Sequence, residues 1–564
     1  MEQCGFRDNV QGREKASFPG AIIVLMAIVG VASAPGGAWA NVVQWTGNGD
    51  GISWSNAANW DTGLVPGSSS DVFIEDGGGN TVVLSATATV NSLYSEKDID
   101  CQSASFTVKA PSTINGSLKI NSGYSLTVTG AGAKLQVNGR AYISGANLYA
   151  TEGGQLLLPD TDNTYATTAT RTIPASGTDS LIEISNLLLI SGPVSRNVVL
   201  DVQATSGAAI RLPALVQAKQ YVRFYANGVN SNIVLPSFEI FDGGGSCYQG
   251  LTIGSASISN HGRILFPNLH TVRNASFFAY DGLTMNLASV VIFYYTADQK
   301  SNVLASGTDS KIDLSNLKLV TGPPHRARRL SFRAEVGGVI DLSALEESRG
   351  VVTFSATGQD SLIHVPSLYK INGSGNHYST FGTISIRDHA SIPLPSLNTV
   401  IAYGLYAYDG LTLDLRSVRS LYNNTNARNS IVADGVNSTI NISNLLSTSG
   451  PTVRNSSFSI EANNGGTINL AALGESRKTV HFSASGQNSL INLPSLVFLE
   501  GYGGSSGTGS MTIRNNGNIH VPQLQTLDSF NCYSYDGLTL DLSSVTTYKN
   551  TSGITSVIAA TGID

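Results

Sequence analysis

Asp313, Asp341 and His364 are the side chains of this 564-residue chain best placed for acid–base chemistry. Each stands at the first variable position of a recurring phrase, apolar-x-apolar-x-x-apolar, most often written Ile-x-Leu-Pro-Ser-Leu. In a strand, the residue between two inward apolar positions points outward, so these positions form a ladder along one face. Neighbouring rungs are expected about 4.8 Å apart. Two carboxylates one rung apart raise the proton affinity of one of them or invite a cation, which is what acid–base cleavage of a polysaccharide requires. The opposing reading is structural. One unit later the matching rungs carry Asn441, Asn469 and Asn492, which can stack as an amide ladder, so any short polar side chain is acceptable there.

Other chemistry is sparse. No nucleophile elbow, phosphate loop, metal-binding Cys/His spacing or Gly-x-Gly-x-x-Gly before a helix occurs. No metal site and no cofactor are expected. The Asp of a recurring Asp-Gly-Leu-Thr is read as a turn former, because Asp-Gly is a favoured pair for positive φ, with a calcium role as the alternative. Aromatic residues supply the remaining candidates. Trp45, Trp54 and Trp60 lie within sixteen residues and are either a sugar-stacking platform or a cap over the first coil. Tyr280, Tyr408 and Tyr535 each precede an Asp-Gly, with Phe278, Tyr406 and Tyr533 two residues before them. Exposed, they would suit weak repeated contact with a polymer such as a glycan; buried, they would be corner packing.

The phrase that carries these residues returns fifteen times, opening first at Ile182 and last at Leu540, in steps of 21 to 31 residues. That period suits one coil of a solenoid. A second alternating strand precedes most copies, as in Val351-Val-Thr-Phe-Ser-Ala, so each coil needs at least two strands. Proline follows the second apolar residue at Pro213, Pro236, Pro267, Pro366, Pro395, Pro494 and Pro522, where the strand should end or bend. Glu347-Ser-Arg349 and Glu475-Ser-Arg477 follow the phrase and read as exposed charged loops. Leucine-rich repeats share the period, yet their consensus Asn is missing and two β-runs leave no room for a helix. A longer period of 128 and 127 residues separates the three Asp-Gly-Leu-Thr copies, so five coils form a duplicated unit.

The expected fold is therefore all-β: a right-handed parallel β-helix with an N-terminal Trp-rich cap and a five-coil unit repeated about three times. The expected organisation is a signal peptide over 1–40, the cap and first coils over 41–165, and the repeat over 166–564. Its units run about 175–304, 305–432 and 433–559, with the start of a fourth at 560–564.

The leader reading rests on Arg7, Arg13 and Lys15 ahead of an apolar run from Ala21 to Ala34, and on the small-x-small pattern Ala38-Trp-Ala40. Cleavage near Ala40 leaves no further apolar stretch long enough to span a membrane and leaves Cys101, Cys247 and Cys532, read as buried free thiols. With 33 Lys+Arg against 39 Asp+Glu and 13% charged residues over the full chain, and no basic run outside the leader, no electrostatic footprint for nucleic acid is visible.

The segment Trp45-Thr-Gly-Asn-Gly-Asp-Gly-Ile-Ser-Trp54 through Asn59-Trp60, followed by Thr81-Val-Val-Leu and Val90-Asn-Ser-Leu, resembles the opening module of bacterial secreted and cell-surface β-helix proteins, including autotransporter-passenger-like and adhesin-like chains. The resemblance covers about residues 42 to 160. It implies a secreted or surface-exposed protein and carries no known catalytic residue; the expected role is structural or adhesive, with a polysaccharide or other cell-surface polymer as the partner that the repeated aromatic patches would suit. The competing class is a polysaccharide lyase or glycoside hydrolase of the pectinase-like β-helix type, because fold alone does not choose between them.

Overall fold

The computed structural model describes residues 41–564 apart from 76–80, 196, 245–252, 297–300, 324–328, 375–380, 424–427, 453–455, 502–506, 552, 554, 563 and 564. The leader, Cys247 and the last two residues of the fourth-unit opening lie outside the described residues. Residues 41–564 form one unit, a parallel β-helix of three strand columns with, among the described residues, one short 3-10 turn, Ala57–Asn59. Sheet I stacks 20 strands from Ala88–Val90 to Ile558–Ala560. At about 4.8 Å per rung it is roughly 90 Å long.

Each coil follows from its residue pattern. Sheet I strands such as Val352–Thr357 and Phe458–Asn463 alternate buried and half-buried residues over their whole length, so Val, Ile, Phe and Ala point inward and Ser, Thr and charged residues point out. A turn leads to the Ile-x-Leu strands of sheet II, which run as stretches of 10, 4 and 5 strands. One break falls at Ser391, which makes only an isolated bridge to Leu362. Pro393 lies two residues on and has no N–H to donate to the coil beneath.

Sheet III was not legible in the sequence. It stacks 16 strands from Thr164–Ala166 to Thr547–Lys549, every one of three residues, such as Thr271–Arg273. Two of these are Glu347–Arg349 and Glu475–Arg477, a correction to the loop reading. Glu347 is only 8% exposed and meets Arg349 at 2.7 Å and Lys370 at 2.9 Å. The hydrogen bond from Arg349 leads the influences that hold its carboxyl below the usual range.

Six of the seven prolines stand two residues past a strand end, as Pro213 follows Ala209–Arg211, and Ser315 takes the same place after Lys311–Asp313. At all seven, the residue two places on donates its N–H to the residue just before the proline, as Leu215 does to Leu212 and Leu496 to Leu493. Proline thus sits second in a β-turn, where its fixed φ fits. The corner from sheet III to sheet I sets the step length. It is one left-handed residue at Asn274 (φ 50°) and Ala402 (φ 51°), and much longer between Ile240–Asp242 and Gly254–Ser259. From Ile264 and again from Ile392, successive phrases therefore stand 21, 27, 28 and 23 residues apart.

The interior holds a run of phenylalanines from Phe224 to Phe354, with neighbouring ring centroids 5.4 to 6.5 Å apart. Between sheets I and II, a buried serine ties consecutive coils together. Ser438 Oγ donates to Asp434 O at 2.7 Å and accepts from Gly410 N, one coil earlier, at 2.9 Å. Ser180, Ser231, Ser310, Ser361 and Ser489 repeat both bonds. Ser489→Ala leaves the buried Gly465 N–H without an acceptor, which costs about 1–3 kcal/mol. Native-state hydrogen exchange at Gly465 should accelerate by roughly ten- to a hundredfold; unchanged exchange would show that the staple contributes nothing.

Candidate functional site

The stack brings the three titratable residues together. Asp313 lies opposite Asp341, and Asp341 opposite His364, on adjacent sheet II strands. Lys311, on the same strand as Asp313, changes their chemistry. Its Nζ is 3.0 Å from Asp341 Oδ2 and 3.5 Å from Asp313 Oδ2. Burial is the largest influence on Asp341 and would raise its affinity for a proton. Hydrogen bonds from Lys311 and Ser343 outweigh it, and the carboxyl is held below its usual range. The expected raised proton affinity is therefore not found on Asp341, because a cation occupies the position that would make two carboxylates repel.

The same carboxylates cap turns. Asp313 accepts from Ser315 N at 3.0 Å and Asp341 from Ser343 N at 3.2 Å, as Asn286 does from Ala288 N and Asp541 from Ser543 N. This local bond explains the preference for Asp and Asn at the rung. One unit on, the amide ladder is present: Asn492 Nδ2 donates to Asn469 at 3.2 Å and Asn469 Nδ2 to Asn441 at 3.4 Å. The double variant Asp313→Asn, Asp341→Asn should keep the fold and lose no more than about 1 kcal/mol, since half-exposed ion pairs contribute little. Urea unfolding checks this, and a loss several times larger would contradict it.

Asp281, Asp409 and Asp536 and the glycine after each have positive φ, as the Asp-Gly reading requires. Their carboxylates accept from the coil before, from Asn260 N at 2.9 Å, Asp388 N at 3.3 Å and Asn515 N at 2.8 Å. Among the described residues no group of three or more His, Cys, Asp or Glu is arranged for a metal ion. Cys101 and Cys532 are buried free thiols, each pushed up to about 12 chiefly by burial.

The tryptophans are inside. Trp45, Trp54 and Trp60 are 7%, 2% and 2% exposed, so the stacking-platform reading is corrected: a sugar cannot reach rings that face each other. Trp60 meets Trp45 and Trp54 edge-on at 4.8 and 4.9 Å, and its Nε1 donates to Trp54 O. Asn59 holds the loop around them, accepting from Gly49 N and Gly51 N and donating to Asp50 and Ser53. Donors from Ser53, then Asn59, hold the Asp50 carboxyl far below its usual range.

The tyrosines are outside. Phe278 and Tyr280 are half-buried outward residues of Ala275–Tyr280, and Tyr406 and Tyr408 hold the same places in Tyr403–Tyr408. Tyr533, on Asn531–Ser534, and Tyr535 form the third doublet, with Tyr535 37% exposed. Ring centroids within the doublets are 6.4, 6.3 and 6.3 Å apart, and the ring planes lie within 1°, 2° and 18° of parallel. The strands are five rungs apart in sheet I, about 24 Å. Burial is the leading influence that keeps the Tyr280, Tyr406 and Tyr408 phenols above their ordinary range, so these rings are neutral surfaces.

Register explains the details. Tyr406 lies over Gly404, where a Cβ would stand 2.7 Å from its Cε2. Arg387, one rung earlier, sits 4.3 Å from the Tyr408 centroid and 3.9 Å from Asp409. The column of Phe278 also carries Tyr225, half-buried like the doublet rings, opposite Ser257, which is itself opposite Phe278. No Asp-Gly follows it, so only the rung register reveals it. Fold and site together define a β-solenoid with a periodic aromatic face. No protein-family model, curated protein or solved structure matches the chain.

Proposed function

We propose that this chain is a secreted or surface-exposed structural and adhesive β-solenoid that attaches to a glycan or similar polymer through its repeated aromatic doublets. The observation that carries the reading is the recurrence of three outward pairs of parallel rings at five-rung intervals on one face. Repeated weak sites on a rigid frame multiply affinity without any site being strong. The lyase or hydrolase alternative is less well supported, because Lys311 bridges the carboxylates it would need and turn-capping bonds occupy them.

The test is retention of the full chain on insoluble polysaccharides, with release of reducing ends measured in the same samples. Tyrosine-dependent retention without depolymerisation is expected. Depolymerisation that disappears in the Asp313→Asn, Asp341→Asn variant would overturn the reading in favour of an enzyme. For the location, protein recovered from the medium should begin at Asn41.

A further inference from the structure

Resting on that reading, we propose that each aromatic doublet is a separate subsite for a neutral pyranose polysaccharide that crosses the solenoid along the strand, so that one molecule holds three chain segments side by side. The direction follows from the strand that carries each pair. Phe278 and Tyr280, like Tyr406 and Tyr408, are two residues apart on one strand, so the line joining their rings runs across the helix axis. A polymer in that direction meets both rings of a doublet, 6.3 to 6.4 Å apart. A polymer along the axis meets one ring at a time and then crosses about 24 Å before the next doublet. On the way it passes Arg333, paired with Glu335, and later Glu461, all outward residues of sheet I.

The chemistry of the partner follows from the same strands. None of the outward residues on the three doublet strands is charged; beside the strands, a carboxylate follows each doublet at Asp281, Asp409 and Asp536, and Arg387 faces Tyr408 and Asp409. An acidic polymer would meet the carboxylate that follows each doublet, and a basic one would meet Arg387 at the second. The first doublet uses Phe278 where the others use Tyr406 and Tyr533, so the ring face is the common element.

Calorimetric titration of the full chain with cello-, chito- and xylo-oligosaccharides, from disaccharide to decasaccharide, tests the geometry. The expected result is three oligosaccharides bound per protein, with affinity reaching a plateau once the sugar covers one doublet. The Tyr406→Ser, Tyr408→Ser variant should bind two, with its circular dichroism unchanged. One long oligosaccharide per protein, with affinity climbing until the sugar bridges two doublets, would overturn the crossing geometry and leave the glycan reading standing. Absence of tyrosine-dependent binding across the whole series would overturn both.

Discussion

Replacing Trp60 with alanine is expected to destabilise the first coils by about 3–5 kcal/mol, the range for emptying a large aromatic site in a core. Trp60 is 2% exposed and lies between Trp45 and Trp54. Trp54 in turn meets Phe106 edge-on at 5.9 Å, which couples the cap to the interior of the stack. Removing the ring also frees the Trp54 carbonyl that its Nε1 satisfies at 2.8 Å. Because each coil of a solenoid contacts only its neighbours, the damage should stay local. Limited proteolysis should cut earlier within roughly residues 41–110, while the repeat beyond keeps its protection. Trp60→Phe, which retains a ring, should lose less. If Trp60→Ala keeps full resistance but no longer binds polysaccharide, the cap is a binding platform after all.

The coil period was legible because Ile-x-Leu and the six-residue strands alternate long enough to declare a buried face. Sheet III was not, because a strand such as Glu347–Arg349 has three residues and too little alternation to distinguish it from a charged loop. The staple serines were hidden for another reason: the Gly410 amide that Ser438 accepts from lies 28 residues away, and nothing local marks either partner. The candidate triplet shows both sides. Its assembly at adjacent rungs could be read from the spacing of the phrase, since Asp313, Asp341 and His364 each stand at the same place in it. The role of Lys311 could not, because its reach to Asp341 depends on the register between two strands. The tyrosine doublets stood out through Asp-Gly, whereas their half-exposed faces and parallel rings required the structure.

Serine at Tyr280, Tyr408 and Tyr535 together should cost far more binding than any one of them alone. Loss of one ring leaves two doublets intact, and a polymer surface that still engages two linked sites is released only slightly faster. Loss of all three removes the gain from linkage, which for joined weak sites is on the order of 10²- to 10⁴-fold. Folding should be unaffected, since all three rings are outward and at least half of each doublet remains. The most direct measurement is therefore dissociation of the full chain from an immobilised neutral polysaccharide, with wild type, single and triple variants compared at equal salt. Each single variant should be released a few-fold faster, and the triple should lose at least about a hundredfold in binding. A triple variant that is retained as well as wild type would contradict polymer binding through the doublets.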